Sequence, residues 1–128
     1  MNPSLFYLAL FSAGGSGVLS RYLLTQLTIK SGWTQLPFGT LFANISGSFF
    51  IGFLSLWLVA KMNWGTQAQI VVLSGFLGGF TTFSAFSLET IRMVEANQGE
   101  RALMYVLLSV MLSLMFCLLG LVVARRLM

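Results

Sequence analysis

Hydroxyl groups recur at helical spacing in the last apolar segment of the chain. Tyr105, Ser109 and Ser113 follow one another at intervals of four, and Arg101 and Cys117 extend the row at its two ends. This spacing puts side chains on one face of an α-helix. A single serine can bond to its own helix, but a row of hydroxyls at membrane depth is typical of a hydrated path. The row indicates a path for a small polar species, with helix packing as the open alternative.

A second polar pair, Thr40 and Asn44, lies four residues apart in another apolar segment and therefore on one helix face. The asparagine amide offers two donors and one acceptor. In hydrocarbon those groups need a partner, which is either a neighbouring helix or a permeating species. Both interpretations remain open from the spacing alone.

The stretch GFLGGFTTFSAFSLET (75–90) interrupts a third apolar segment with glycines and hydroxyls. Each glycine weakens a helix by about 1 kcal/mol relative to alanine, and threonine or serine can cap a helix that starts again. The stretch predicts a helix break near residues 78–82. The carbonyls of the first half and the N–H groups of the second half would then face inward, as in membrane helices that bind ions.

Three rings accompany the predicted break: Phe80, Phe83 and Phe86 are spaced by three residues and share one predicted face. An aromatic ring has a positive edge, which can face a small anion without the charge that would trap it. Core packing is the alternative interpretation.

The amino-acid composition argues against most metal-binding and catalytic functions. The sequence contains no histidine, no aspartate, a single cysteine and three glutamates. The usual zinc and iron sites and the nucleophilic triads are therefore excluded, and an enzyme would have little acid–base equipment. The net charge of +4 is dispersed along the chain, which argues against nucleic acid as a partner.

The elements that must hold these residues are membrane helices. The 128 residues are 57% hydrophobic and only 8% charged, with a mean hydropathy of +0.89, whereas soluble domains carry about 25% charged residues. Each of four apolar segments is near the ~20 residues that cross a bilayer. We predict a single all-α transmembrane domain over 1–128, with spans at 5–27, 36–59, 70–88 and 102–124.

The distribution of basic residues gives little preference for one orientation. With four spans, one side of the membrane holds three Lys or Arg residues and the other holds four. Orientation follows this bias, so we predict dual topology, in which two oppositely inserted copies pair about an axis in the membrane plane. A single orientation set by other features is the alternative.

These residues resemble the Fluc family of fluoride channels. The matching stretches are GTLFANISGSF (39–49), GFLGGFTTFS (75–84), SRY (20–22) and the hydroxyl row of the last segment. Length, segment number, weak charge bias and motif order extend the resemblance over the whole chain. One departure stands at Ala85, where the family usually has threonine, so a hydroxyl beside the second ring is missing.

The resemblance implies passive export of fluoride across the bacterial inner membrane by a multi-pass homodimer. Its antiparallel subunits would form two pores, each lined by both chains. The residues that the resemblance assigns to the anion path are Arg21, Thr40, Asn44, Phe83, Ser84, Phe86, Tyr105, Ser109 and Ser113, with Arg21 at the aqueous vestibule. It also implies a structural sodium ion at the dimer centre, held by the backbone carbonyls of Gly78 and Thr81.

Two other classes remain as alternatives. A small dual-topology drug exporter driven by protons needs a carboxylate deep in the membrane, whereas Glu89, Glu95 and Glu100 fall at or beyond the end of the third predicted segment. A membrane assembly factor without transport activity would explain the small residues but neither the hydroxyl row nor the predicted break.

Overall fold

The computed structural model describes residues 2–62 and 64–128, and the ordered elements of this part are helices. Helix α1 runs over Pro3–Lys30, α2 over Phe38–Ala60, α4 over Phe83–Glu95 and α5 over Gly99–Leu127. Helix α3 consists of three consecutive parts, Thr66–Ile70, Val71–Leu77 and Gly78–Phe80. The predicted all-α class is confirmed. The single-domain expectation stays a prediction, and its range includes Met1 and Asn63, which lie outside the described residues.

Three helices are long and apolar enough to cross a membrane within the described residues: Phe38–Ala60, Thr66–Glu95 taken across the break, and Gly99–Leu127. The last two are longer than their predicted spans of 70–88 and 102–124, whereas Phe38–Ala60 is one residue shorter than the predicted 36–59. Helix α1 has 28 residues, which is about 42 Å at the rise of an α-helix and ample for a bilayer. Glycines, serines and Arg21 lower its hydropathy, so a fourth crossing stays a prediction.

Helix α3 departs from α-geometry before it ends. Residues Val71–Leu77 form a π-helix, in which each N–H bonds to the carbonyl five residues earlier. The helix then stops at Phe80, and Thr81 and Thr82 adopt extended backbone angles before α4 begins. The predicted break is therefore present at its C-terminal limit. Gly78 itself keeps helical dihedral angles, so the glycine pair is not where the backbone changes direction.

The glycines serve close packing instead. A Cβ atom at Gly79 would overlap the carbonyl oxygen of Gly14, which brings the end of α3 against α1. Helix α2 packs most extensively on α5, where Gly52 and Gly120 each face the backbone of the other helix without room for a side chain. Small residues allow such close backbone approach in membrane proteins. The predicted role of the small residues in helix contacts is confirmed at these positions.

The apolar core lies at one end of the bundle, where α2, α4 and α5 meet the loop that follows α1. Leu36, Leu41, Phe86 and Tyr105 form one buried cluster, and the Tyr105 side chain is fully enclosed. The cluster fixes α4 against α2 and α5 directly after the break. Residues near the break are therefore positioned by packing on one side and by polar contacts on the other.

Candidate ion pathway at the broken helix

The break is held open by Asn44 of α2. Its side-chain Oδ1 accepts a hydrogen bond from the Thr82 N–H at 2.7 Å, and its Nδ2 donates to the Thr82 carbonyl at 3.0 Å. One amide side chain thus satisfies both backbone groups of a residue that lies in neither helix. Buried backbone groups left without partners are costly, so Asn44 stabilises the extended conformation of Thr82. The Asn44 side chain therefore has a protein partner in the segment between α3 and α4, and its contact with a permeating species stays a prediction.

Thr82 also starts α4. Its hydroxyl oxygen accepts the Ala85 N–H at 3.2 Å, as expected of an N-cap threonine. The Ser84 hydroxyl lies 3.2 Å from the same oxygen and is exposed. The predicted capping of a restarted helix by a hydroxyl is confirmed.

These contacts free the two carbonyls expected to bind a cation. In a continuous helix the Gly78 carbonyl would accept the Thr82 N–H, which donates to Asn44 instead. The Thr81 carbonyl would accept the Ala85 N–H, which donates to the Thr82 hydroxyl. Two hard oxygen atoms are thereby left available, and such atoms suit hard cations. The backbone therefore fits the ion that the sequence predicts, while its presence stays a prediction.

The break divides the three rings. Phe80 ends α3 and stacks on Phe76, with ring centroids 6.0 Å apart. Phe83 and Phe86 lie on α4 with centroids 5.4 Å apart, and Phe86 packs at the same distance from Tyr105. The prediction of one shared face is wrong for Phe80, because the extended Thr81 and Thr82 end the helical periodicity. Phe83 is 77% exposed whereas Phe86 is only 8% exposed.

The residues of the hydroxyl row on α5 also have different environments. Ser109 is 5% exposed, and its hydroxyl has no hydrogen-bond partner within the described residues. Ser113, one turn further on, is half-buried. Tyr105 is engaged elsewhere, because its hydroxyl donates to Glu89 at 2.7 Å. Cys117 lies outside the lining of the cavity described next.

These groups surround a cavity of about 370 Å³, here called the central cavity. The predicted residues that line it are Asn44, Thr81, Phe83, Phe86, Ser109 and Ser113. Every lining residue in the described part of the chain is uncharged. The structure therefore brings together an unpartnered hydroxyl, two rings and the break around one neutral space. Arg21, Thr40, Ser84 and Tyr105 lie outside this lining set.

Comparison with known proteins places this architecture in a family. Residues 8–121 match the family described as CrcB-like protein, Camphor Resistance (CrcB). The chain belongs to the CrcB-like family. It is 44% identical over 129 residues to the fluoride-specific ion channel FluC of Methylococcus capsulatus, covering 99% of this chain but only 55% of that relative.

Other CrcB-like relatives match along nearly their whole length. The fluoride-specific ion channel FluC of Rhizobium meliloti is 39% identical over 120 residues, which is 93% of this chain and 96% of the relative. The protein of the same name from Granulibacter bethesdensis is 40% identical, with 94% and 95% covered. The resemblance found from the sequence motifs is confirmed.

One functional candidate of this CrcB-like chain was missed from its sequence. Glu89 is half-buried and lies within the membrane-length helix Thr66–Glu95, not at its end. Its Oε1 accepts from the Thr40 hydroxyl at 2.8 Å and its Oε2 accepts from Tyr105. Helix α4 continues to Glu95, so Glu89 lies inside a helix, and its placement at the end of the membrane-spanning segment stays a prediction. The sequence feature that could have identified Glu89 is its position three residues after Phe86, on the helix face that carries the rings.

The CrcB-like chain places Arg21 beside the break from the opposite side. Its Nε lies 3.4 Å from the Gly79 carbonyl oxygen, a long hydrogen bond, and the side chain is half-buried. A guanidinium group carries a positive charge and N–H donors only. Arg21 therefore puts a fixed charge on α1 within reach of the end of α3, adjacent to but not lining the central cavity.

Proposed function

We propose that this protein is a passive channel for fluoride, exporting the ion across the inner membrane of a bacterial cell as a multi-pass membrane protein. The observation that carries the proposal is membership of a family whose curated relatives, over nearly the full length of this chain, are named fluoride-specific ion channels. The same names describe transport and not catalysis, so the protein is not an enzyme.

The central cavity supports an anion path on physical grounds. A small anion that loses water needs hydrogen-bond donors, and the Ser109 hydroxyl is buried with its donor unused. The edges of Phe83 and Phe86 add weak positive potential, and the lining carries no carboxylate. Weak neutral contacts let an ion both enter and leave, as conduction requires.

We propose that the functional unit is an antiparallel homodimer with two pores. In one chain the central cavity has an incomplete wall, because Phe83 is 77% exposed beside it. An exposed ring at the open side of a cavity offers a surface for a second copy of the chain. The nearly balanced basic residues support insertion in both orientations.

A structural sodium ion would occupy the centre of this dimer. Each chain would contribute the carbonyls of Gly78 and Thr81, whose helical partners bond elsewhere. Four carbonyl oxygens from two chains would then surround one cation. The ion would offset the unmet carbonyls and would not lie on the route of the anion.

A proton-coupled exporter of cationic drugs remains the second candidate, because Glu89 is an acid inside a membrane-length helix. Such transporters need a carboxylate that exchanges protons. Both oxygens of Glu89 are, however, held by hydroxyl donors. This arrangement favours a fixed carboxylate over one that opens to bind a drug.

Fluoride efflux from proteoliposomes tests the proposal. Purified protein is reconstituted in vesicles loaded with potassium fluoride, and release is followed with a fluoride electrode after valinomycin provides the counter-ion path. We expect rapid fluoride release without a proton gradient and little release of chloride under the same conditions. Release equal to that of empty vesicles contradicts the proposal, and transport that requires a proton gradient favours the exporter.

A further inference from the structure

A second cavity lies on the other side of the layer formed by Phe86 and Tyr105, here called the loop-side cavity. It measures about 380 Å³ and is bordered by the loop between α1 and α2 and by the start of α5. Thr40 and Glu89 line it, and both belong to the hydrogen-bonded group that contains Tyr105. The central cavity reaches Phe86, which packs on Tyr105. One layer of side chains thus separates the two spaces.

The loop-side cavity is more polar than the central cavity. The neutral polar side chains of Gln35 and Gln98 line it, and Arg101 adds a positive charge. Arg101 is exposed, so the cavity meets water beside this residue. Arg101 begins the hydroxyl row of α5, one turn before Tyr105.

The charges matter because Glu89 borders the same space. An anion crossing the Phe86–Tyr105 layer would meet the Glu89 carboxylate, which repels it. Arg101 supplies the opposite charge in the same cavity. A cleft with low-dielectric walls focuses such a charge and raises the local concentration of counter-ions.

We propose that the loop-side cavity is the aqueous mouth of the anion path and that Arg101 draws the anion into it against the field of Glu89. The inference rests on the proposed function and adds the exit route and the residue that sets its rate. Arg101 acts by electrostatic attraction of the anion and takes no part in the Phe86–Tyr105 layer that separates the two cavities.

Replacing Arg101 by glutamine tests this role, with Arg92→Gln as the matched control. Arg92 is also an exposed arginine, but it does not line the cavity. Both changes remove one basic residue from the same side of the predicted topology, so any effect on orientation is equal. We expect Arg101→Gln to lower the initial rate of fluoride efflux roughly three- to tenfold at low ionic strength, while Arg92→Gln changes it less than about twofold.

The dependence on salt separates attraction from damage to the fold. The Debye length falls from about 30 Å at 0.01 M to about 3 Å at 1 M, so the difference between wild type and Arg101→Gln is expected to shrink as impermeant salt is added. Arg101→Lys is expected to restore most of the rate. Equal rates for the two glutamine variants, or a deficit that salt leaves unchanged, overturn the inference. A wild type without fluoride efflux overturns the proposed function itself.

Discussion

Phe83 and Phe86 are three residues apart, yet they have opposite environments. Phe86 is buried against Tyr105, whereas Phe83 projects from the chain beside the central cavity. The same substitution therefore has different consequences for stability at the two positions. The one effect that we expect the two rings to share is a contribution to conduction.

Replacing either ring by isoleucine is expected to reduce the rate of fluoride efflux by about tenfold. This factor corresponds to a rise of about 1.4 kcal/mol in the barrier to conduction when the contact between the ring edge and the anion is lost. The free energy of unfolding should fall by about 1–2 kcal/mol for Phe86→Ile and by less than about 0.5 kcal/mol for Phe83→Ile. Proteoliposome efflux and thermal melting in detergent measure the two effects. Phe11→Ile is the control, since Phe11 is 80% exposed on α1. Unchanged efflux in both variants would assign the rings to packing alone.

Ser109→Ala separates conduction from stability more cleanly. The Ser109 hydroxyl has no partner within hydrogen-bond distance in the described residues, so we expect its removal to cost little stability. We expect a melting temperature close to that of the wild type together with slower fluoride efflux. The control is Ser55→Ala, because the Ser55 hydroxyl bonds to the Gly52 carbonyl of its own helix. A variant that conducts like wild type would show that the path does not use this donor.

At the residue scale, the sequence identified most members of the central cavity but not their partners. Spacing along one helix placed Ser109 and Ser113 on a common face, and they do share the cavity. The pairing of Asn44 with Thr82 joins residues 38 positions apart. No periodicity within one segment encodes such a contact, because helix packing decides it. The role of Glu89 escaped prediction for the same reason, since its partners Thr40 and Tyr105 lie on two other helices.

At the scale of elements, the predicted break is present, and the hydroxyl capping that was expected to restart the helix is confirmed. Glycine was expected to weaken the helix, but Gly79 is required where α3 approaches Gly14. The change in backbone direction occurs at Thr81 and Thr82, where Asn44 replaces the lost helical partners. The break is therefore stabilised by a tertiary contact more than it is produced by local propensity.

Asn44→Ala is expected to destabilise the break. It would leave the N–H and carbonyl of Thr82 unpaired, each at a cost of about 1–3 kcal/mol, so the melting temperature in detergent should fall markedly. Ser48→Ala is the control, because Ser48 lines the same cavity one turn further along α2 without bonding to Thr82. Equal melting temperatures for the two variants would show that water replaces the amide without loss.

At the scale of the whole molecule, the proposed pairing of oppositely inserted copies depends on a near balance of basic residues. In the predicted topology, Thr66 and Gln67 lie on the side with three basic residues, and Ser31 and Ala96 lie on the side with four; all four side chains are exposed. Added lysines near helix ends bias insertion, whereas acidic residues have little effect. Lysines at Thr66 and Gln67 would therefore favour one orientation of insertion, and lysines at Ser31 and Ala96 would favour the opposite orientation.

Each double lysine variant alone is expected to lose fluoride efflux, because all copies would insert in one orientation. Co-expression of Thr66→Lys with Gln67→Lys in one chain and Ser31→Lys with Ala96→Lys in another is expected to restore it. Glutamate at the same positions is the control and should leave efflux near the wild-type rate. Full activity of either lysine variant expressed alone would contradict the antiparallel dimer.

The π-helix at Val71–Leu77 also has a consequence for the tolerance of the chain to changes in length. Each backbone hydrogen bond of a π-helix spans one residue more than that of an α-helix. This segment is therefore equivalent to an α-helix into which one residue has been inserted. Deleting Val72 is expected to convert the segment to α-geometry while Gly79 still faces Gly14. A deletion of Ile51, within regular α-helix, would instead rotate Gly52 away from Cys117. We expect the first deletion variant to yield folded protein by gel filtration and the second to aggregate, so the π-helix is where a residue can be lost without shifting the register of the path.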